Sequence, residues 1–170
     1  MGTVTLLADI PARPSLRLQR FLPDPPAAVW RALTDPERFR TCLFCDLVLD
    51  DGGWTVGARL SFRFVPELIE LTHPGEVIEV EEPRVLSYSF GEELLRYALE
   101  PGDGGTLLVL SVELPARSAA IAAATWDIYL DRLAGMTFPA SDWAPRYRRH
   151  ADRFVPILGA QEGPPVHLEM

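Results

Sequence analysis

Apolar and polar side chains alternate along four segments in the middle of the chain. This period of two is typical of β-strands that bury one face. Short turns rich in glycine and proline separate the segments, and such short connections join antiparallel neighbours. The pattern therefore predicts an antiparallel sheet whose buried face carries Leu60, Phe62 and Phe64 in segment 58–65, then Ile78 and Val80, then Leu86, Tyr88 and Phe90, and finally Leu95, Tyr97 and Leu99.

Two further strand-like runs lie outside these four segments. One spans 16–22, and the other spans 106–113, where apolar residues occupy both parities. A strand that is apolar on both sides is expected where both faces of a sheet are covered. We therefore predict six or so antiparallel strands, with the run at 106–113 buried on both faces.

Helix-start signals occur twice directly after the first predicted strand. Asp24 and Asp35 are suited to N-cap positions, and Pro25 and Pro36 stand at the first helical positions, where a missing N–H costs nothing. A longer helix is predicted over 115–135 because a proline opens it and a glycine closes it. The predicted order is strand, two short helices, several strands and one long helix.

One face of the long helix should lie on the sheet. At 100° per residue, that face carries small residues in its first half and large ones in its second: Ala119, Ala122, Ala123, Trp126, Tyr129, Leu130 and Leu133. The alanine half leaves room beside the sheet. That room predicts either an apolar cavity or a core that Phe62 and Phe64 fill.

If the cavity exists, strand parity and helical phase aim one set of aromatic side chains at it. Tyrosine hydroxyls in this set would orient a ligand, and the rings would supply apolar contact. The candidate ligand-binding residues are Phe62, Phe64, Tyr88, Phe90, Tyr97, Trp126 and Tyr129.

The opposite face of the long helix carries an apolar row formed by Ile121 and Ile128. Ser141 could cap a final helix whose aromatic stripe would cover this row, within the chain or across a homodimer. That stripe consists of Trp143, Tyr147 and Phe154. The expected organisation is an N-terminal extension (1–15), a main domain (16–135), an additional helix packing on that domain or on a partner (136–155) and a loose tail (156–170).

Composition limits the partners. The formal net charge of -8 argues against binding to nucleic acid or to an anionic membrane surface. A chain of 170 residues without a long apolar run fits one cytoplasmic domain. Cys42 and Cys45 form a lone C-x-x-C without further cysteines, so we interpret them as packing thiols and expect neither a metal nor a cofactor.

Five short motifs, taken in order, resemble one known family. They are 29–37 (Val-Trp-Arg-Ala-Leu-Thr-Asp-Pro-Glu), Gly52-Gly53, 75–86, Gly104-Gly105-Thr106, and Trp126 with Leu130 and Leu133. Over 16–135 the chain resembles the helix-grip fold of the Bet v 1 and START-like (SRPBCC) superfamily. Within it, the chain is similar to the activator of Hsp90 ATPase homologue 1-like family. The resemblance implies an α+β fold in which a curved antiparallel sheet wraps around a long C-terminal helix.

Three functions follow from the resemblance and the residues together. The favoured one is binding of a small hydrophobic or amphipathic molecule between sheet and helix. Relatives with this fold also imply a cyclase- or dehydratase-like enzyme, but no histidine falls on a predicted inward position and Glu76 is the only inward-phased carboxylate. We therefore favour a binding protein over an enzyme and assign no catalytic residue. The third is a chaperone-linked interaction module, although nothing before residue 16 matches the separate chaperone-gripping domain of the eukaryotic co-chaperones.

Overall fold

The computed structural model describes residues 2–7, 13–64, 71–136 and 142–163. Eight antiparallel strands form one sheet in the order β1-β2-β8-β7-β6-β5-β4-β3. The predicted N-cap Ser141, the end of the predicted strand at Val65 and the last seven residues lie outside the described residues. The strands are β1 (Thr3–Leu7), β2 (Ser15–Leu22), β3 (Cys45–Leu49), β4 (Arg59–Phe64), β5 (Leu71–Glu81), β6 (Val85–Phe90), β7 (Glu93–Gly102) and β8 (Gly105–Glu113).

The helices follow the predicted order, with α1 and α2 after β2 and a longer helix after β8. A π-helical turn extends α2, and a 3-10 turn precedes α3. Within the described residues, no helix is both long enough and apolar enough to cross a bilayer. The bounds are α1 (Pro26–Thr34), α2 (Pro36–Arg38), the π turn (Phe39–Leu43), the 3-10 turn (Ala116–Ser118), α3 (Ala119–Leu133) and α4 (Trp143–Leu158).

The two predicted N-caps behave differently. Asp35 caps α2, since its Oδ1 accepts a hydrogen bond from the Glu37 N–H at 2.9 Å. The prediction for Asp24 was wrong, because Pro25 occupies the N-cap position of α1 and no side chain caps that helix. Asp24 instead uses its backbone carbonyl to accept a hydrogen bond from the Thr106 hydroxyl at 2.7 Å, which fastens the start of α1 to β8.

The α3 helix packs on the sheet as predicted, which confirms the α+β helix-grip fold. Every residue of its predicted inward face is buried. The alanines at its N-terminal end are part of this buried face. Farther along α3, Trp126 contacts Phe90 of the sheet, and Tyr129 contacts Trp126 and Phe39 of the π turn.

The predicted phase of β5 was correct at Val80, which packs against the core, but wrong at Ile78. Val77 is fully buried, whereas Ile78 is 45% exposed. A register irregularity between Val77 and Glu79 shifts the parity at this point, because a bulge inserts one unpaired residue into a strand. Upstream of it, His73 pairs with Phe62 and therefore shares the inward face. Glu76, predicted to point inward, is exposed.

The prediction that β8 is covered on both faces was only half correct. Leu108, Leu110 and Val112 are fully buried on the inner face, but Leu107 and Val109 on the other face are only half-buried. The strand lies in the interior of the sheet between β2 and β7. Its outer apolar residues are shielded by neighbouring strands rather than by a second layer.

The α4 helix covers the outer side of α3 within the same chain. The Trp143 indole N–H donates a hydrogen bond to the Thr125 hydroxyl at 3.1 Å, and Thr125 lies in the row between Ile121 and Ile128. Ile128 is 3% exposed. The apolar row that would otherwise require a partner is therefore covered intramolecularly.

Segments predicted as extension and tail take part in the fold. β1 pairs with β2 at one edge of the sheet. Beyond α4, the Gln161 side chain accepts a hydrogen bond from the Ala120 N–H at 3.0 Å and donates one to the Ala116 carbonyl at 2.9 Å. The Tyr147 hydroxyl donates to the Glu162 carbonyl. These contacts tie the end of the described chain to the start of α3.

Candidate functional site

The predicted ligand-binding residues come together in one aromatic cluster between the sheet and α3. All of them are buried except Phe64, which is half-buried at the margin. On the sheet, Phe62 lies 5.7 Å from Tyr88 and Tyr88 lies 6.0 Å from Tyr97, measured between ring centroids. Their alternation along β4, β6 and β7 explains why these rings share one face.

The helix side of this aromatic cluster comes from α3. Trp126 meets Phe90 edge-to-face at 5.2 Å, and Tyr129 meets Trp126 in the same manner at 5.6 Å. Edge-to-face contacts place the positive rim of one ring against the negative face of the other. Trp126 thus joins α3 to the sheet through Phe90, and Tyr129 continues the ring contacts along α3 by about one helical turn.

Sequence reasoning missed two rings of the cluster, Phe39 and Trp54. Phe39 in the π turn stacks on Tyr129 at 6.0 Å, and Trp54 in the β3–β4 connection lies 5.6 Å from Tyr88. Neither residue lies on a periodic strand or helix, so no phase could assign it a direction. A large aromatic residue beside glycine in a loop was the available signal for Trp54.

Three tyrosine hydroxyls lie inside the cluster with unequal partners. The Tyr88 and Tyr97 hydroxyls are 3.3 Å apart and share a hydrogen bond. The Tyr129 hydroxyl is buried and makes no hydrogen bond of normal geometry among the described residues, although the Tyr97 hydroxyl lies near enough for the two to affect each other's pKa. Burial raises the pKa of all three well above the ordinary value, so each hydroxyl keeps its proton and can donate.

Glu93 is the carboxyl group of this site, and sequence reasoning missed it. Its Oε1 accepts a hydrogen bond from the Trp126 indole N–H at 3.3 Å. Although Glu93 keeps some exposed surface, dense surrounding protein desolvates the carboxyl and raises its pKa to about 7. The residue shares the inward parity of Leu95 and Tyr97, a signal that was hidden by treating it as part of a turn.

His73 also faces this region, contrary to the prediction that no histidine points inward. Its ring stacks on Phe90 at 4.7 Å, and Phe64 meets it edge-on at 5.7 Å. Burial lowers the pKa of His73, which favours the neutral imidazole. His73 and Glu93 therefore flank Phe90, the first by stacking and the second as its partner across the β6–β7 hairpin.

The two cysteines are buried and unbridged. Burial raises the pKa of Cys45 to about 12, so its nucleophilic thiolate form is disfavoured. Across the described ranges, no group of three or more histidine, cysteine, aspartate or glutamate side chains is arranged to hold a metal ion.

The family comparison extends over most of this architecture. The sequence model described as Activator of Hsp90 ATPase homolog 1-like protein matches residues 24–137, from the start of α1 to just beyond α3. The chain belongs to the activator of Hsp90 ATPase homolog 1-like family. This family match contains every residue of the aromatic cluster and Glu93, while α4 lies outside it. A search of the curated proteins found no match.

Solved structures similar to this family member share its fold. CalU16 from Micromonospora echinospora is 21% identical with a TM-score of 0.68, over 94% of this chain and 99% of that chain. A conserved protein of unknown function from Enterococcus faecalis, EF2215, is 19% identical with a TM-score of 0.68, over 91% and 92%. Ara h 8.0201 is 15% identical with a TM-score of 0.60, over 72% and 96%. At these identities the likeness extends to the fold alone.

Proposed function

We propose that the protein binds a small hydrophobic or amphipathic molecule between the sheet and α3. The observation that carries this proposal is the Tyr129 hydroxyl, which is buried among aromatic rings and makes no hydrogen bond of normal geometry in the described chain, the Tyr97 hydroxyl nearby influencing its pKa without reaching that geometry. An unsatisfied buried polar group costs about 1–3 kcal/mol. A polar atom of a bound molecule would remove that cost.

The surroundings of Tyr129 support an apolar ligand. Phe39 and Trp126 contact its ring, and the alanine half of α3 contributes no polar side chain. Ligand pockets combine mostly apolar walls with a few placed polar groups. Here the rings would supply the walls, and the tyrosine hydroxyls would supply the polar contacts.

Two measurements on the purified protein test this proposal. Native mass spectrometry is expected to detect a carried-over small molecule, and the neutral fluorophore N-phenyl-1-naphthylamine is expected to bind with enhanced emission. An amphipathic competitor, 2-naphthalenemethanol, should then displace it. The proposal would be contradicted if the purified protein carried no ligand, did not bind the fluorophore, and showed no change in its own tryptophan emission when the fluorophore was added.

A pair of matched variants locates the site. Tyr129→Phe should weaken competition by 2-naphthalenemethanol about tenfold, since one hydrogen bond in a dry site is lost. Tyr147→Phe removes the hydroxyl of a tyrosine on α4, outside the cluster, and should leave competition unchanged. Equal effects of the two substitutions would place binding elsewhere.

Acid–base chemistry at the same site is a second candidate, favoured by the two titratable groups around Phe90. The neutral His73 would take a proton from the carbon beside a ligand carbonyl, and Glu93 would give its proton to the carbonyl oxygen, forming an enol. Proton NMR of 2-tetralone in D₂O would test this step. Exchange faster than in buffer, and lost in Glu93→Gln and His73→Phe, is expected; exchange at the buffer rate would contradict it.

A further inference from the structure

The ionisable groups of the aromatic cluster can supply a negative charge but no buried positive charge. Its ionisable groups are three tyrosine hydroxyls, two thiols, the neutral His73 and the Glu93 carboxyl. Among the described residues, two arginines interact with groups of the cluster: Arg38, whose influence on the pKa of Tyr129 is the smallest of the causes, and Arg132, which is half-buried and donates a hydrogen bond to the Cys42 carbonyl at 3.2 Å. Arg38 is itself exposed. The cluster therefore offers an anion, but no buried cation.

The Glu93 carboxyl has unused hydrogen-bonding capacity. Trp126 donates to its Oε1, and within the described chain this is the one hydrogen bond that its carboxyl oxygens accept. A carboxylate presents about four lone-pair sites. The residue is half-buried at the start of β7, so it is not sealed within a closed core.

Its neighbours place Glu93 at one end of the cluster. Phe90 is its partner across the β6–β7 hairpin, and Phe90 in turn contacts Trp126 at 5.2 Å. A molecule lying along these rings toward Tyr129 would meet the carboxyl at its other end. The two polar contacts would thus lie at opposite ends of an apolar wall.

We propose that Glu93 is the polar subsite of the ligand site and that it selects molecules bearing a hydrogen-bond donor there, above all a protonated amine, over carboxylates. This inference rests on the proposed function. A charge-assisted hydrogen bond between an ammonium group and a carboxylate is about twice as strong as a neutral one. A buried ligand carboxylate would face an anion and find no buried cation, which makes its desolvation costly.

Three probes with the same ring system separate charge from apolar contact: 2-naphthylmethylamine, 2-naphthalenemethanol and 2-naphthoate. Calorimetric titrations at pH 8 keep Glu93 mostly ionised, since its pKa is about 7. The amine should bind about tenfold more tightly than the alcohol, and the carboxylate at least tenfold more weakly than the alcohol. Because the three probes share the naphthalene ring system, the apolar contribution cancels when their binding affinities are compared.

The substitution Glu93→Gln keeps the shape and removes the charge. It should abolish the advantage of the amine over the alcohol while leaving binding of the alcohol within about twofold. Glu100→Gln, an exposed position on the same strand, is the matched control and should change neither. Retained circular dichroism and thermal unfolding of both variants would show that they fold.

The outcomes distinguish the two proposals. If all three probes bind but the carboxylate binds best, or the amine preference survives in Glu93→Gln, the subsite assignment is overturned and the proposed function stands. If none of the probes binds and N-phenyl-1-naphthylamine is also rejected, the proposed function itself fails, and the subsite with it. An amine preference lost only in Glu93→Gln supports both.

Discussion

The polar groups on the two sides of α3 differ in how completely they are paired. On the outer side, Asp127 and Asp131 each pair with both Arg20 of β2 and Arg146 of α4, which gives four ion pairs. On the inner side, the Tyr129 hydroxyl makes no hydrogen bond of normal geometry within the described chain, and Glu93 receives one indole hydrogen bond. The outer charged groups pair with one another, whereas the inner polar groups leave hydrogen-bonding capacity unused.

The contrast separates structural from binding polarity. Buried charges persist in proteins when they are paired and hydrogen-bonded, as they are between α3, β2 and α4. Unpaired buried groups carry a cost that function can justify. One outer atom departs from this rule: His150 Nδ1 is also buried without a partner in the described part of the chain. Its ring stacks on Phe154, and its other ring nitrogen, Nε2, lies 4.0 Å from Asp127 Oδ2, so His150 borders the outer network.

The largest expected effect comes from breaking the outer network. Asp127→Ala removes one of the two carboxylates that pair with the buried Arg20 and the partly buried Arg146, so the free energy of unfolding should fall by about 3 kcal/mol. Urea denaturation followed by circular dichroism measures this. Asp152→Ala, an exposed position on α4, should change it by less than about 0.5 kcal/mol. Similar losses in both variants would refute the network's structural importance.

Acid should weaken the same network. Burial opposes ionisation of Asp127, but His150, Arg20 and Arg146 outweigh it and lower its pKa from 3.8 to about 2. Since the folded pKa is depressed, its stabilisation is fully present above pH 4 and is lost as the pH falls toward 2, by about 2 kcal/mol.

Urea midpoints between pH 5 and pH 2.5 would show this loss. The curve for Asp127→Asn should be flatter in that window, because this variant lacks the titrating group. Parallel pH dependences in the two proteins would contradict the assignment to Asp127.

Glu93 predicts a smaller effect of opposite sign on the inner side. Burial raises its pKa from 4.5 to about 7, so the folded state holds a proton that the unfolded state has released. Stability should therefore decline as the pH rises from about 4.5 to 7, by about 1–2 kcal/mol after allowance for partial exposure. Glu93→Gln should lack this decline, measured as the difference in unfolding midpoints at pH 5 and pH 8. If the stability of Glu93→Gln falls as steeply with pH as that of the parent protein, Glu93 is not the titrating group.

The smallest expected effects on stability come from removing single tyrosine hydroxyls, and they should differ between Tyr129 and Tyr88. Tyr129→Phe removes a hydroxyl that makes no hydrogen bond of normal geometry, so stability should stay constant or rise by up to about 1 kcal/mol. Tyr88→Phe breaks the bond to Tyr97 and should cost about 1 kcal/mol. Thermal unfolding of the ligand-free variants compares the two directly. Equal destabilisation would mean that Tyr129 has a partner in solution.

Local periodicity predicted the sheet, its antiparallel pairing and the inward face of α3, because those features repeat every two or 3.6 residues. It failed at single irregular positions. The bulge in β5 reversed the parity that had assigned Glu76 inward and left His73 unnoticed. Glu93 was overlooked because it was grouped with the turn residues Gly91 and Glu92, whereas β7 already begins at Glu93. Phe39 and Trp54 entered the cluster through non-repeating backbone, which only tertiary structure determines.

The four outer ion pairs have a mechanical consequence for the proposed ligand site on the other side of α3. A helix anchored from behind by two arginines cannot roll or slide without separating charges in a poorly hydrated environment. If the proposed ligands differ in shape, the site would therefore adjust to them through ring rotations at Trp126, Tyr129 and their neighbours. Tolerance should extend to molecules that differ in outline by a methyl group or two, and should end where accommodation requires the backbone itself to shift.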